Sequence, residues 1–146
     1  MHVGELITIK NPLTLPESAT AMAAARAMTE QHVGAVIITT KDGRPSGIFT
    51  ERDLMTRVVV PGKDPDKTTL GDVSTRDLYY VAPDAEVASV RKEIQRRHVR
   101  HLPIVANGKL VGVLSLRDIL RADLDSCLHE VEDLEKYFLG GKEPLA

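Results

Sequence analysis

The sequence predicts an α/β (α+β) chain made of two copies of one strand–helix–strand–strand–helix unit packed sheet to sheet, followed by a long C-terminal helix. Three observations carry this expectation. A set of short motifs recurs in the same order. Two apolar hairpins are closed by Gly-containing turns. The last part of the chain runs from Asp118 to Gly140 without a proline or glycine between.

Val3-Gly4-Glu5-Leu6-Ile7-Thr8 reads like Leu70-Gly71-Asp72-Val73-Ser74-Thr75, at an offset of 67. Both stretches reach a proline, Pro16 or Pro83, eight residues after the threonine. His32-Val33 matches His98-Val99 at an offset of 66, and Gly47-Ile48-Phe49-Thr50-Glu51-Arg52-Asp53-Leu54 matches Gly112-Val113-Leu114-Ser115-Leu116-Arg117-Asp118-Ile119 at 65. Ordered self-similarity of this kind marks a duplication. The expected units are 1–60 and 68–122, with a Pro/Gly-rich polar linker at 61–67 and a helical extension at 123–146.

Each unit begins with an extended stretch up to its proline. A helix follows, for which Ser18 or Asp84 can serve as the cap, with apolar residues at Ala21, Ala24 and Met28 or at Val87, Val90 and Ile94. A short apolar strand comes next, Ala35–Ile38 or Leu102–Val105. Lys41-Asp42-Gly43 and Asn107-Gly108 then supply the positive-φ residues of a hairpin turn. A second strand, Gly47–Phe49 or Val111–Leu114, leads into a second helix. Met22, Met28 and Met55 fall at helical spacing and read as core filler, while His2 and His129 read as surface residues. A unit of about 55 residues is marginal alone, so the two are expected to fold as one body.

In the terminal helix, Leu120, Leu124, Cys127, Val131, Leu134 and Phe138 alternate spacings of four and three. That a/d seam fits a helix lying along its own domain, with Cys127 as a small core residue, or a self-association helix in a homodimer. Its narrowness favours the dimer.

Composition sets outer bounds. With 42% apolar and 27% charged residues the chain is an ordinary globular one, and 146 residues suffice for a core. A net charge of −2, 3% aromatic residues and no Trp argue against nucleic acid as a partner. No apolar stretch is long enough for a membrane span, and the N-terminal residues lack a secretory pattern. The single cysteine excludes an internal disulfide, as suits a cytoplasmic protein.

Thr50-x-x-Asp53 and Ser115-x-x-Asp118 each follow a strand and open a helix. They read as capping boxes. They also recur with a Gly three residues before the hydroxyl and an Arg just before the acid, which capping does not require. A helix N-terminus suits phosphate, and a carboxylate fixed there can accept hydrogen bonds from a ribose diol. Arg100-His101-Leu102-Pro103 leads into a strand and reads as a surface Arg with a half-buried His, or as a phosphate clamp. His98-x-x-His101 has metal-site spacing but no apparent third ligand. No nucleophile elbow, Walker loop or dinucleotide-binding turn is present, so no catalytic residue and no metal site is assigned.

The duplicated unit resembles the CBS domain, named after cystathionine β-synthase, in its tandem-pair, stand-alone form. The carriers are Val3-Gly4-Glu5 with Thr8, Gly71-Asp72-Val73 with Thr75-Arg76-Asp77, Arg100-His101-Leu102-Pro103, and the two Gly-x-x-[Thr/Ser]-x-Arg-Asp segments. The resemblance covers about residues 1–122. It implies two repeats packed as a pseudo-twofold disc, with two clefts for adenosine-containing ligands: AMP, ADP, ATP or S-adenosylmethionine. It also implies a regulatory sensor rather than an enzyme, with no required cofactor, a homodimeric assembly and an unidentified regulated protein as partner. By the same resemblance Asp53 and Asp118 would meet ribose hydroxyls, Thr50 and Ser115 ribose or phosphate, and Arg100 and His101 phosphate. Backbone at Gly34-Ala35-Val36 and at Arg100-His101-Leu102, running into Pro103, would frame the base. Thr8, Leu13 and Thr14 would join it in one copy, and Thr75 and Tyr80 in the other. Where the second unit has Arg100-His101-Leu102-Pro103 the first has Gly34-Ala35-Val36-Ile37, so the clefts are not equivalent and the one lined by Ser115 and Asp118 is the better site.

Overall fold

A computed structural model describes residues 1–7 and 12–138. After a 3-10 turn at Val3–Leu6, the first half contains β1 (Thr14–Leu15), α1 (Ala21–Gln31), β2 (Ala35–Thr39), β3 (Pro45–Thr50) and α2 (Glu51–Asp53). α2 widens at once into a π-helical segment, Leu54–Val59, in which the Val60 N–H reaches the Met55 carbonyl. The second half contains α3 (Leu70–Val73), α4 (Val87–Arg97), β4 (His101–Ala106), β5 (Lys109–Ser115) and α5 (Leu116–Phe138).

The first sheet has order β1-β2-β3, with β1 parallel and β3 antiparallel to β2. The second consists of the antiparallel pair β4-β5. The leading strand expected in the second unit shrinks to one parallel bridge, Val81 to Ile104. Both hairpins slip register at the same place, Ile38/Thr39 and Ile104/Val105. Their turns use the anticipated residues: Gly43 has φ 81°, and Asn107 and Gly108 have φ 54° and 76°.

Helix starts correct two expectations. α1 is capped by Thr20, whose Oγ1 accepts the Ala23 N–H at 3.1 Å, and not by Ser18. The residue before α4 is Glu86, which makes no side-chain cap, so Asp84 plays no such part. α1 and α4 both stop at a histidine in the left-handed region, His32 (φ 55°) and His98 (φ 54°).

Each central strand is buried on both faces. Val36, Ile38 and Phe49 pack with Ala21, Ala24 and Met28 of α1. Leu102, Ile104 and Leu114 pack with Val87, Val90 and Ile94 of α4. Because side chains alternate along a strand, Ala35, Ile37, Val105 and Val113 point away from those helices, yet they too are buried. The two sheets cover each other on these faces, and the helices lie outside.

The leading segments are exchanged. Val3 is fully buried in the cluster around α4, and its N–H donates to the Ala85 carbonyl at 2.9 Å. Conversely, Leu70 and Val73 lie in the cluster around α1, and the Leu70 N–H donates to the Ala19 carbonyl at 2.8 Å. Thr75 exchanges two backbone hydrogen bonds with Ile48 of β3. Each sequence repeat therefore completes the other's core, and fully burying one such side chain contributes about 1.5–3 kcal/mol.

α5 is continuous through residue 123, so no break separates the second unit from the extension. Among the described residues its first turns rest on the body, through Leu116, buried Ile119 and the Arg91–Asp123 ion pair, and Ser126 borders a cavity beside Met1 and α4. From Leu124 to Phe138 every residue is exposed. Cys127 is exposed rather than a core residue, because the helix has left the body where it occurs. Met55 is 54% exposed and not core filler, since the π-helical segment turns it outward.

Candidate functional site: two strand–helix junctions at the sheet edges

β3 passes into α2 at Thr50, which stays extended. Its Oγ1 accepts the Asp53 N–H at 3.1 Å, and Asp53 Oδ2 accepts the Thr50 N–H at 3.0 Å. β5 passes into α5 in the same way. Ser115 Oγ accepts the Asp118 N–H at 3.2 Å, and Asp118 Oδ2 accepts the Ser115 N–H at 3.0 Å and its O–H at 2.9 Å. Both motifs are thus capping boxes, as their spacing suggested. The caps hold each carboxylate through one oxygen.

The second oxygens differ. Asp53 Oδ1 lies 3.6 Å from the Arg57 Nε, one helical turn on. Among the described residues no partner is recorded for Asp118 Oδ1.

The ladders bring the other candidates alongside. Ala35 stands directly across from Thr50, and His101 directly across from Ser115. The Glu51 N–H donates to the Gly34 carbonyl at 3.0 Å, and the Leu116 N–H to the Arg100 carbonyl at 2.8 Å. Gly34-Ala35 and Arg100-His101 therefore occupy equivalent places beside the two helix starts. Val36, Leu102 and Pro103 are buried behind them. The Arg100 side chain is exposed.

Leu13 joins the first junction through its carbonyl, which accepts the Ile37 N–H at 3.0 Å, with Thr14 next to it in β1. Tyr80, 53% exposed, precedes the Val81 bridge to β4. Thr75 is placed elsewhere: it pairs with β3 of the first half, so the segment from Thr75 to Val81 crosses from one sheet to the other. Thr8 lies outside the described residues.

His101 is half-buried, and its Nδ1 is buried without a hydrogen-bond partner. Burial lowers its pKa. Glu51 and Asp118 pull it back up, and Arg100 pushes it down. It thus feels carboxylates from both junctions. Glu51 went unnoticed in the sequence. A β-carbon on Gly34 would sit 3.1 Å from Glu51 Oε1 and 3.6 Å from His101 Nε2. The only signal was that the repeat has Leu116 where the first unit has Glu51.

A separate cavity of about 190 Å3 opens between the N-terminal residues, α4 and α5, lined by Met1, Glu86, Arg91, Asp123 and Ser126 among others. It shares no residue with the junctions. Among the described residues, no three His, Cys, Asp or Glu side chains converge as a metal site requires, and no helix is long and apolar enough to cross a membrane.

Two small sheets with exchanged leading segments and a capped carboxylate at each strand–helix junction define a paired-repeat module. The CBS domain family model matches residues 3–60 and 70–125, and the chain belongs to that family. It is 35% identical over 138 residues to an uncharacterized protein, MK0525, of Methanopyrus kandleri, covering 94% of this chain and 70% of that protein. Among solved structures, it resembles a CBS domain protein from Pyrobaculum aerophilum, PAE2072, complexed with AMP. There the TM-score is 0.74 and the identity 31%, over 81% of this chain and 89% of that one. A putative signal-transduction protein with CBS domains from Burkholderia ambifaria shares the fold at TM-score 0.80 and 24% identity, covering 86% of this chain and 95% of that one.

Proposed function

We propose that this chain is a regulatory module that binds an adenosine-containing ligand at its strand–helix junctions without turning it over. The observation that carries the reading is the Ser115/Asp118 junction. One carboxylate oxygen is fixed by the cap while the other is left to accept a ribose hydroxyl, and Arg100 and His101 stand beside it as phosphate donors. The AMP complex of the Pyrobaculum relative supports the same ligand class. AMP, ADP, ATP and S-adenosylmethionine are the candidates; Asp53 and Thr50 line the weaker site. We place the chain in the cytoplasm, acting on a partner protein, with repeats at 1–60 and 68–122.

Calorimetric titration with AMP, ATP and S-adenosylmethionine tests this. Ligand at one hundred times Kd stabilises the fold by about 2.7 kcal/mol. An unchanged melting temperature at millimolar concentrations of all three overturns the reading, and release of phosphate or base would point to catalysis instead.

A specific observation also favours assembly. The seam of α5 leaves Leu124 59%, Val131 46% and Leu134 54% exposed, on a stretch of helix from Leu124 to Phe138 in which every residue is exposed. A homodimer that buries this seam accounts for it.

A further inference from the structure

We infer that the second copy covering the α5 seam lies antiparallel to it. The inference rests on the homodimer reading and is independent of the nucleotide reading.

Charge decides the direction. Between Asp123 and Phe138 the helix carries six carboxylates, those of Asp123, Asp125, Glu130, Glu132, Asp133 and Glu135, against one lysine, Lys136. Arg117 and Arg121 lie at the other end. Acidic residues near a helix C-terminus oppose the macrodipole, so the lone helix is electrostatically mis-ordered at the end that leaves the body. An antiparallel partner sets its basic, N-terminal end beside this acidic end, at both ends of the pair. A parallel partner lays acid against acid.

Register agrees. With Leu120, Cys127 and Leu134 at d and Leu124, Val131 and Phe138 at a, antiparallel layers join Leu120 to Phe138, Leu124 to Leu134 and Cys127 to Val131 of the second copy. Arg121 and Glu135, both at e, then face each other twice across the seam. In a parallel pair Glu130 at g faces Glu135 at e, a like-charge contact, twice, whereas the antiparallel register has one such contact, Glu130 against Glu130 of the second copy at the twofold. The overlap from Leu120 to Phe138 spans about 28 Å at 1.5 Å per residue. It places the two bodies at opposite ends of the helix pair.

Disulfide trapping in the full chain tests the direction. In a Cys127→Ser background, Leu124→Cys and Leu134→Cys chains carrying different tags are mixed and oxidised. The antiparallel dimer gives a disulfide between the two different variants and none when either is oxidised alone. Disulfides within each single variant would show a parallel dimer, overturning the direction while leaving the homodimer. A monomer by light scattering of the unmutated protein would overturn the dimer itself. Arg121→Glu should weaken association roughly tenfold, through two new like-charge contacts, and Arg121→Glu/Glu135→Arg should restore it. If the double variant is no tighter than Arg121→Glu alone, the pairing is wrong.

Discussion

The His101 imidazole lies beside Gly34: its Nε2 is 3.6 Å from where a β-carbon on that glycine would sit, an ordinary contact, and Glu51 Oε1 at 3.1 Å is the closer neighbour. These residues begin β4 and end the approach to β2, so one junction's imidazole stands beside the backbone of the other. The repeats differ here, and a half-buried histidine sits among Glu51, Asp118 and Arg100.

A pH dependence follows. In the unfolded chain a histidine titrates near 6.5, and in the fold burial lowers His101 below that. Between the two values the unfolded chain binds more protons. Stability is therefore complete above about pH 6.5 and falls as pH drops from there toward the folded value. Ligand-free protein should melt at a lower temperature at pH 5.5 than at 7.5, and His101→Gln should reduce that difference. A difference unchanged in the variant would remove His101 as its cause. Phosphate beside the imidazole favours its charged form, so AMP binding near pH 6 should take up protons, read as a buffer-dependent binding heat.

Gly47 is a tighter contact. A β-carbon there would lie 2.9 Å from the Thr75 carbonyl oxygen, which is backbone and is held by the Ile48 N–H. Gly47→Ala must therefore displace the crossing segment and should cost about 1–3 kcal/mol. Denaturant unfolding measures this, and a loss below ~0.5 kcal/mol would show that the segment yields freely.

Much of this was legible in the residues. Asn107-Gly108 and the Thr50/Asp53 and Ser115/Asp118 boxes are local chemistry, and local chemistry survives folding intact. The a/d spacing of α5 was equally plain, but spacing cannot say where a helix leaves the body, so Cys127 was misjudged. The exchange of Val3 and Leu70 was invisible because it is a choice between two identical-looking partners. Arg57 and Glu51 were missed because nothing in sequence tells which face of a short helix, one that becomes π-helical, will meet a neighbouring sheet.

The exchange itself makes a prediction. Without Leu70 and Val73 the α1 core lacks two buried side chains worth about 1.5–3 kcal/mol each, a large share of a small domain's stability. Without Val3 the α4 core has a similar gap. Fragments 1–66 and 67–146 should each fail to melt cooperatively, and an equimolar mixture should recover a cooperative transition. In the intact chain Leu70→Ala should cost about 2–5 kcal/mol. A cooperative melt from either fragment alone would mean that the exchanged segments are dispensable.

The two junctions should differ as ligand sites, because their carboxylates differ in what already holds them. Asp53 has Arg57 3.6 Å from the oxygen its cap does not use, whereas Asp118 has no such neighbour recorded among the described residues. A ribose hydroxyl must compete with a guanidinium at the first and meets an uncommitted acceptor at the second. Phosphate adds to the contrast. Arg100 precedes the strand opposite Ser115, while Gly34 offers backbone alone in the equivalent place. Charge-assisted hydrogen bonds contribute about 1.5–3 kcal/mol. Arg100→Ala should therefore weaken AMP about ten- to a hundredfold and leave adenosine nearly unchanged. Asp118→Ala should weaken both, since ribose is common to them. That variant also loses a helix cap, at a cost of about 0.5–2 kcal/mol in stability, so its melting must be followed beside its binding. Arg57→Ala should strengthen adenosine binding at the first junction by releasing Asp53. If Thr50→Ala and Asp53→Ala abolish AMP binding while Arg100→Ala and Asp118→Ala leave it intact, the first junction is the working site and the ranking is reversed.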